Sequence, residues 1–335
     1  MILFFDTDAP VQAFEKKHPF KGEKVEFFKT NLNRTPKKKL EPFLNETTVI
    51  SLFVHSESIN NAKLDLFPNL KLIATRSTGF NHIDLDYCRA RGIKVATVPR
   101  YGETTVAEYT FGLLLDVCRK ICLAHQDMRQ NTIRMNDYVG FDLFGKTLGV
   151  IGTGSIGSHV IKIARGFGMN VLAFDKFQKP EFKDIYVKKL SDLYKKSDII
   201  TLHVPSTPEN HHLLDEKAFD QMKRGVLLVN TSRGDLIDTD ALYNAIKSGK
   251  LYGAGLDVLE HEDFLLHDEI DIKTESKNPD YLLDSALNMK LLQFKNVLAT
   301  PHIAFNSVDA IERIIQTTHD NIQSFLNGNP TNCVD

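Results

Sequence analysis

Three ionisable residues follow apolar stretches in the second half of the chain: Arg233 in NTSRGDLID, Glu262 in GLDVLEHED and His302 in ATPHIAF. The stretches before them, 226–230, 253–257 and 297–299, have the apolar composition of buried parallel strands. Open α/β sheets gather their chemistry at the carboxyl ends of such strands. An Arg, a Glu and a His form a coherent set for reducing a 2-keto acid. A guanidinium grips a carboxylate in a fork. An imidazole titrates in the range needed to hand a proton to the carbonyl oxygen as hydride arrives. A nearby carboxylate favours the imidazolium form. His302 is therefore expected to be the general acid, Glu262 its partner and Arg233 the substrate clamp. Glu260, His261 and Asp263 crowd Glu262, and position alone leaves open which of these groups is the working acid.

A second pattern supplies the hydride source. In LGVIGTGSIGSHVIKIARGFGMNVLAFD (148–175), an apolar strand runs into Gly152, Gly154 and Gly157. A helical stretch and a second apolar strand follow, and that strand ends on Asp175. This is the context of a dinucleotide site. Gly152 permits the tight turn, Gly154 lets the backbone approach a pyrophosphate, and Gly157 lets helix pack on strand. The helix N-terminus offers N–H groups and a positive dipole end to the phosphates. Asp175 is placed to accept the ribose hydroxyls and would repel a 2′-phosphate, which favours NAD over NADP. Lys176 beside it tempers that preference.

These residues require elements to hold them. The first hundred residues predict strands at 2–5, 25–28, 49–53, 72–75 and 94–96, with amphipathic or polar segments between. One long helix is expected over 104–130, from the spacing of Val106, Tyr109, Leu113, Val117, Ile121, Ala124 and Met128. A second alternating run has strands beginning at Leu148 and at 171–174, 199–203, 226–230, 253–257 and 297–299. The segment 261–292 reads as polar and irregular, suited to a loop that closes over a site. A final helix spans 307–326 and stops at Gly328 and Pro330. The fold class expected is α/β: two Rossmann-like doubly wound parallel-sheet domains with a cleft between them. The substrate domain is assigned to 1–100 plus 300–335, with an NAD-binding domain, 101–299, inserted into it.

Bulk properties exclude several classes. A net charge of -2 over 335 residues gives no basic field for nucleic acid or an acidic membrane. No apolar run approaches the length of a membrane span, and MILFFDTDAP reads as a first strand, not a signal segment. Cys88, Cys118, Cys122 and Cys333 show no CxxC spacing, which points to free thiols and a cytoplasmic protein. There is no GxSxG elbow for a hydrolytic serine. His211-His212 is not expected to bind a metal, because adjacent side chains usually diverge and no third ligand is suitably spaced.

At these residues the chain resembles the D-isomer-specific 2-hydroxyacid dehydrogenases over nearly its whole length. The likeness is carried by RSTGFNHID (76–84), VPRYGETTVAE (98–108), GVIGTGSIG (149–157), LHVPSTPEN (202–210), NTSRGDLID (230–238), GLDVLEHE (255–262) and TPHIAF (300–305). In that family the Arg, Glu and His of the last three motifs are catalytic, and they match Arg233, Glu262 and His302. The resemblance further implies that Ser155 and Ile156 meet the pyrophosphate. It places Val204, Pro205 and Asn210 in the cofactor groove, and Thr231, Ser232 and Asp257 near the nicotinamide. It implies that Ser77-Thr78-Gly79 offers backbone N–H groups to the substrate carboxylate. Within the family the likeness is strongest to the D-lactate dehydrogenase branch. There Tyr101 matches a substrate-contacting tyrosine and Phe53 an aromatic that limits the substrate side chain, while Ala304-Phe305 replaces the GS pair of other branches. Arg100 and Gly102-Glu103 depart from the usual pattern and leave the preferred side chain open. Phenylpyruvate, 2-oxoisocaproate and hydroxypyruvate are alternatives to pyruvate. A non-catalytic NAD(H)-sensing corepressor is the alternative from another class. The family and the helix after Thr104 suggest a homodimer.

Overall fold

The computed structural model describes residues 1–53, 59–262 and 279–334. The chain divides into two compact units, Met1–Tyr101 with Ser307–Asp335, and Gly102–Asn306.

The first unit is a five-stranded sheet of β1 (Ile2–Phe4), β2 (Val25–Phe27), β3 (Val49–Leu52), β4 (Leu72–Thr75) and β5 (Lys94–Ala96). The order is β2-β1-β3-β4-β5, with every neighbouring pair parallel. Side chains alternate across a strand, and both faces are covered. Leu3, Ile50 and Ile73 pack with Leu64 and Phe67 on one side. Ile2, Phe4, Val49 and Leu72 pack with Phe20, Ile315 and Ile322 on the other. Ile315 and Ile322 belong to the helix Val308–Leu326, which is capped by the Ser307 hydroxyl accepting from Ala310 N–H. Asn321 on that helix donates to the Thr97 carbonyl at 2.8 Å, and Cys333 bridges to Ala96. The C-terminal segment thus completes the sheet begun at the N-terminus.

The second unit is a six-stranded sheet of β6 (Thr147–Ile151), β7 (Asn170–Phe174), β8 (Ile199–Leu202), β9 (Val226–Asn230), β10 (Leu251–Leu256) and β11 (Val297–Ala299). The order is β11-β10-β9-β8-β6-β7, again parallel throughout. On β9 the alternation is complete: Val226 and Leu228 enter one core, Leu227 and Val229 the other. From β6 the chain winds first to β7 on one side and then to β8 on the other. The carboxyl ends of β6 and β8 therefore flank a topological switch point, where α/β sheets leave room for a ligand.

Two expectations need correction. The helix expected over 104–130 is two helices, Glu103–Arg119 and Ile121–Gln130, broken at Lys120. Lys120 adopts left-handed backbone (φ 56), the Asp116 carboxylate accepts from Cys122 N–H across the break, and Lys120 Nζ donates to the Asp137 carbonyl. Within the segment expected to be irregular, Pro279–Leu291 is a helix. Tyr281, Leu287 and Leu291 are buried, but Leu282, Leu283 and Met289 are exposed, so the apolar period is blurred. The closing loop foreseen there falls on 263–278, outside the described residues. Among the described residues, no helix is long and apolar enough to cross a membrane.

Candidate active site

The glycine turn follows β6 at the switch point. Gly152 has φ +94, and a side chain there would collide with the His203 carbonyl just beyond β8. A side chain at Gly157 would run into the Gly152 carbonyl. Both positions therefore exclude any larger residue. A side chain at Gly154, by contrast, would meet open space. Gly154 also caps the helix Ser155–Gly166 with no side-chain hydrogen bond to its first turn. A helix end with free N–H groups beside open space fits a dinucleotide pyrophosphate. Asp175 lies just past β7. One of its oxygens accepts from Thr153 N–H and, at 3.0 Å, from the Thr153 hydroxyl; the other accepts from Phe177 N–H at 2.8 Å. The carboxylate thus braces the glycine turn from the end of the neighbouring strand. Sequence reasoning missed Lys179, whose Nζ donates to Ser158 Oγ (2.8 Å) and to the Gly154 carbonyl (3.3 Å). Its separation from the turn in sequence gives no signal of this.

The fold brings His302 and Glu262 together. His302 Nδ1 lies 2.6 Å from Glu262 Oε1, both half-buried, and Glu262 Oε2 accepts from Leu259 N–H. Of the crowded acids, Glu260 turns instead to His212, at 2.8 Å. Asp263 lies outside the described residues. His302 sits just past β11 with left-handed backbone (φ 53). That conformation costs a residue with a side chain about 1–3 kcal/mol and persists only where its surroundings impose it. Asp257, at the end of β10 and 1% exposed, does the imposing. Its carboxylate accepts from Thr300 Oγ1, Ile303 N–H and Ala304 N–H, and its carbonyl accepts from His302 N–H. Burial pushes the Asp257 carboxyl above its ordinary value, against the pull of Thr300 and of those N–H groups. Thr300 and the brace it makes with Asp257 were not foreseen; the residue before Pro301 carries no sign of them.

Arg233 follows β9 and its Nη1 donates to the Ser232 carbonyl. Asn230 fixes that turn, donating to the Arg233 carbonyl and accepting from Ser232 N–H and Oγ. Gly234 allows the turn to press against the main chain of Leu259 and Glu260, where any side chain would collide. The arginine turn and the segment carrying Glu262 are thereby in backbone contact. Thr231 Oγ1 meets Thr110 Oγ1 at 2.9 Å in the interior. Asn210 closes a short capped turn with Thr207 and donates to the Pro205 carbonyl, so it shapes the stretch after β8 that also carries Val204.

The remaining expected residues lie in the first unit, at carboxyl ends of its strands. Phe53 follows β3 and its ring lies 5.7 Å from the Arg76 guanidinium. Ser77 and Thr78 follow β4; their hydroxyls donate to the Gly79 and Val98 carbonyls and so fix the 77–79 loop. Tyr101 lies beyond β5, and its carbonyl accepts from Arg313. Arg76 went unremarked in the sequence. It is buried, donates to Ser51 Oγ and the Phe5 and Asp6 carbonyls, and burial lowers its guanidinium to about 10.

His211 and His212 do not diverge as expected. Their rings stack with centroids 3.9 Å apart, and both approach Glu260.

Comparison with known proteins identifies the family. Residues 111–304 match the family model for the D-isomer specific 2-hydroxyacid dehydrogenase NAD binding domain. The chain is 38% identical to the D-lactate dehydrogenase of Escherichia coli K12 over 310 residues, 92% of this chain and 91% of that one. It is 40% identical to an aromatic 2-oxoacid reductase of Clostridium sporogenes over 258 residues, 76% of each chain. A solved D-lactate dehydrogenase from Aquifex aeolicus, complexed with NAD and lactic acid, superposes with a TM-score of 0.84 at 36% identity, covering 98% of this chain and 96% of that one. The chain belongs to the D-isomer-specific 2-hydroxyacid dehydrogenases, which makes it an NAD-dependent oxidoreductase acting on hydroxy acids. Within that family it stands close to the D-lactate dehydrogenases.

Proposed function

We propose that the chain is a D-lactate dehydrogenase, reducing pyruvate with NADH to D-lactate and NAD. The observation that carries this reading is the 2.6 Å pair of His302 Nδ1 and Glu262, braced by Asp257. NADH, when bound, supplies the hydride. Gly152, Gly154, Ser155, Ile156 and Gly157 would hold its pyrophosphate and Asp175 its adenine ribose, Val204, Pro205 and Asn210 would line its groove, and Thr231, Ser232 and Asp257 would serve the nicotinamide end. With Nδ1 committed to Glu262, His302 donates its proton from Nε2 to the carbonyl oxygen of the keto acid. Glu262 stabilises the imidazolium before transfer. Arg233 would hold the substrate carboxylate by a bidentate pair; in the first unit, the resemblance assigns the 77–79 loop to carboxylate binding and Phe53 and Tyr101 to the substrate side chain. Proton and hydride together convert C=O to CH–OH. The purified enzyme is expected to oxidise NADH with pyruvate and yield D-lactate on chiral chromatography. No turnover with any small 2-keto acid would sink the reading.

A larger keto acid is the second reading, favoured by the likeness to an aromatic 2-oxoacid reductase. A higher kcat/KM for phenylpyruvate than for pyruvate would select it. We also infer a homodimer. Ile121, Met128, Ile133, Met135, Val139 and Phe144 are all more than half exposed along one stretch of the second unit, and such surfaces mark contacts between chains. Light scattering is expected to give twice the 37.9 kDa chain mass; a monomer at micromolar concentration would refute it. The buried thiols of Cys88 and Cys118 support a reducing cytoplasmic setting.

A further inference from the structure

We propose that His211, His212 and Glu260 form a binding site for one divalent transition-metal ion, zinc foremost. His212 Nε2 lies 2.8 Å and His211 Nε2 3.5 Å from the same oxygen, Glu260 Oε1. One donor atom from each residue lies within 4.8 Å of the other two. A tetrahedral zinc ion with bonds of about 2.0–2.1 Å needs donors about 3.3 Å apart, so small side-chain shifts would seat it. An ordinary histidine–carboxylate pair uses one ring. Here two rings converge on one oxygen, and His212 is held in left-handed backbone (φ 51) where they converge. The pairing of imidazole nitrogen and carboxylate oxygen suits zinc, cobalt and nickel better than calcium or magnesium.

The surroundings match what supports a metal ligand. Zinc-bound histidines commonly present their other ring nitrogen to a carboxylate, and His212 Nδ1 lies 3.6 Å from Asp238 Oδ2. Glu260 Oε2 accepts from Thr239 Oγ1, and the Glu260 carbonyl accepts from Asn288 Nδ2 at 2.7 Å. Glu260, 8% exposed, is thereby fixed from the helices Thr239–Lys247 and Pro279–Leu291. His261 and Asp284 group with the same carboxylate. The site uses none of Arg233, Glu262 or His302, although Glu260 shares its segment with Glu262.

The test is titration of the full-length, chelator-dialysed enzyme with zinc chloride by calorimetry, paralleled by visible absorption with cobalt(II). The expected result is one ion per chain and a higher Tm with zinc. His211 is half exposed, so His211→Asn should fold normally and keep the metal-free turnover with NADH. It should weaken zinc binding by more than the ~10–100-fold that loss of a supporting partner costs. His302→Asn should bind zinc as the parent does. Three outcomes would overturn the proposal: no zinc binding by the parent, equal binding by His211→Asn, or binding lost in His302→Asn and kept in His211→Asn. The last would place the ion on the His302–Glu262 pair instead.

Discussion

The proton-transfer pair acts as one device, because an imidazole without its carboxylate loses both orientation and charge stabilisation. His302→Asn and Glu262→Gln are each expected to lower kcat for keto-acid reduction by about 10²–10⁴. The double variant should fall little below the worse single one, since groups that act as a unit are not additive. Steady-state kinetics of the three variants checks this, and multiplicative losses would mean the two side chains work separately. At this scale the sequence was half legible. An Arg, a Glu and a His at strand ends stood out by type and position. The choice among Glu260, Glu262 and Asp263 did not, because neighbouring acids differ only in the direction the backbone gives them. Main-chain turns decide it: Glu260 faces His212, and Glu262 faces His302.

Elements place these groups by bringing strand ends together, and the end of β8 shows the tightest constraint. His203 is half-buried as a residue, yet both ring nitrogens are shut off from solvent and have no hydrogen-bond partner among the described residues. Burial lowers its imidazole to about 3. The unfolded chain binds this proton near pH 6.5. Between those values the unfolded state holds more protons than the folded state, so His203 costs stability as pH falls below 6.5. His203→Leu is expected to remove about 2 kcal/mol of the stability lost between pH 7.5 and pH 5. Urea denaturation of the second unit at both pH values measures it; an unchanged loss would show that the ring takes up a proton in the fold. The central strands were readable because double-sided burial demands apolar runs, as in Val226–Asn230. The break at Lys120 was not, since lysine is a common helix former and only the tertiary anchor on Asp137 reveals the bend.

The whole molecule joins a contiguous unit, Gly102–Asn306, to one assembled from both chain ends. Deleting everything after Asn306 removes Ile315 and Ile322 from the first unit's core and the Asn321 bond to Thr97, and leaves every residue of the second unit in the chain. The truncated chain is expected to keep a cooperative transition and NADH binding from the second unit while the first loses its own transition. Calorimetry with an NADH fluorescence titration would show this; complete unfolding would mean the second unit cannot stand alone. The alternation of strands and helices made both sheets legible, and the last helix was foreseen from its apolar stripe. Its assignment to the domain of the first five strands was made as well, but not the particular strands it covers, because periodicity tells which face is buried and not against what.

That split arrangement matters during synthesis. Chains leave the ribosome N-terminus first and fold domain by domain. The five strands of the first sheet emerge early, but the helix that shields Ile2, Phe4 and Leu72 is translated only after the whole second unit. The opening hundred residues must therefore wait, one apolar flank covered only in part by Val11, Phe14 and Phe20, while the contiguous unit that follows them folds. A nascent chain of this architecture should depend on chaperone holding near its start, and a stall late in translation should expose that flank to aggregation.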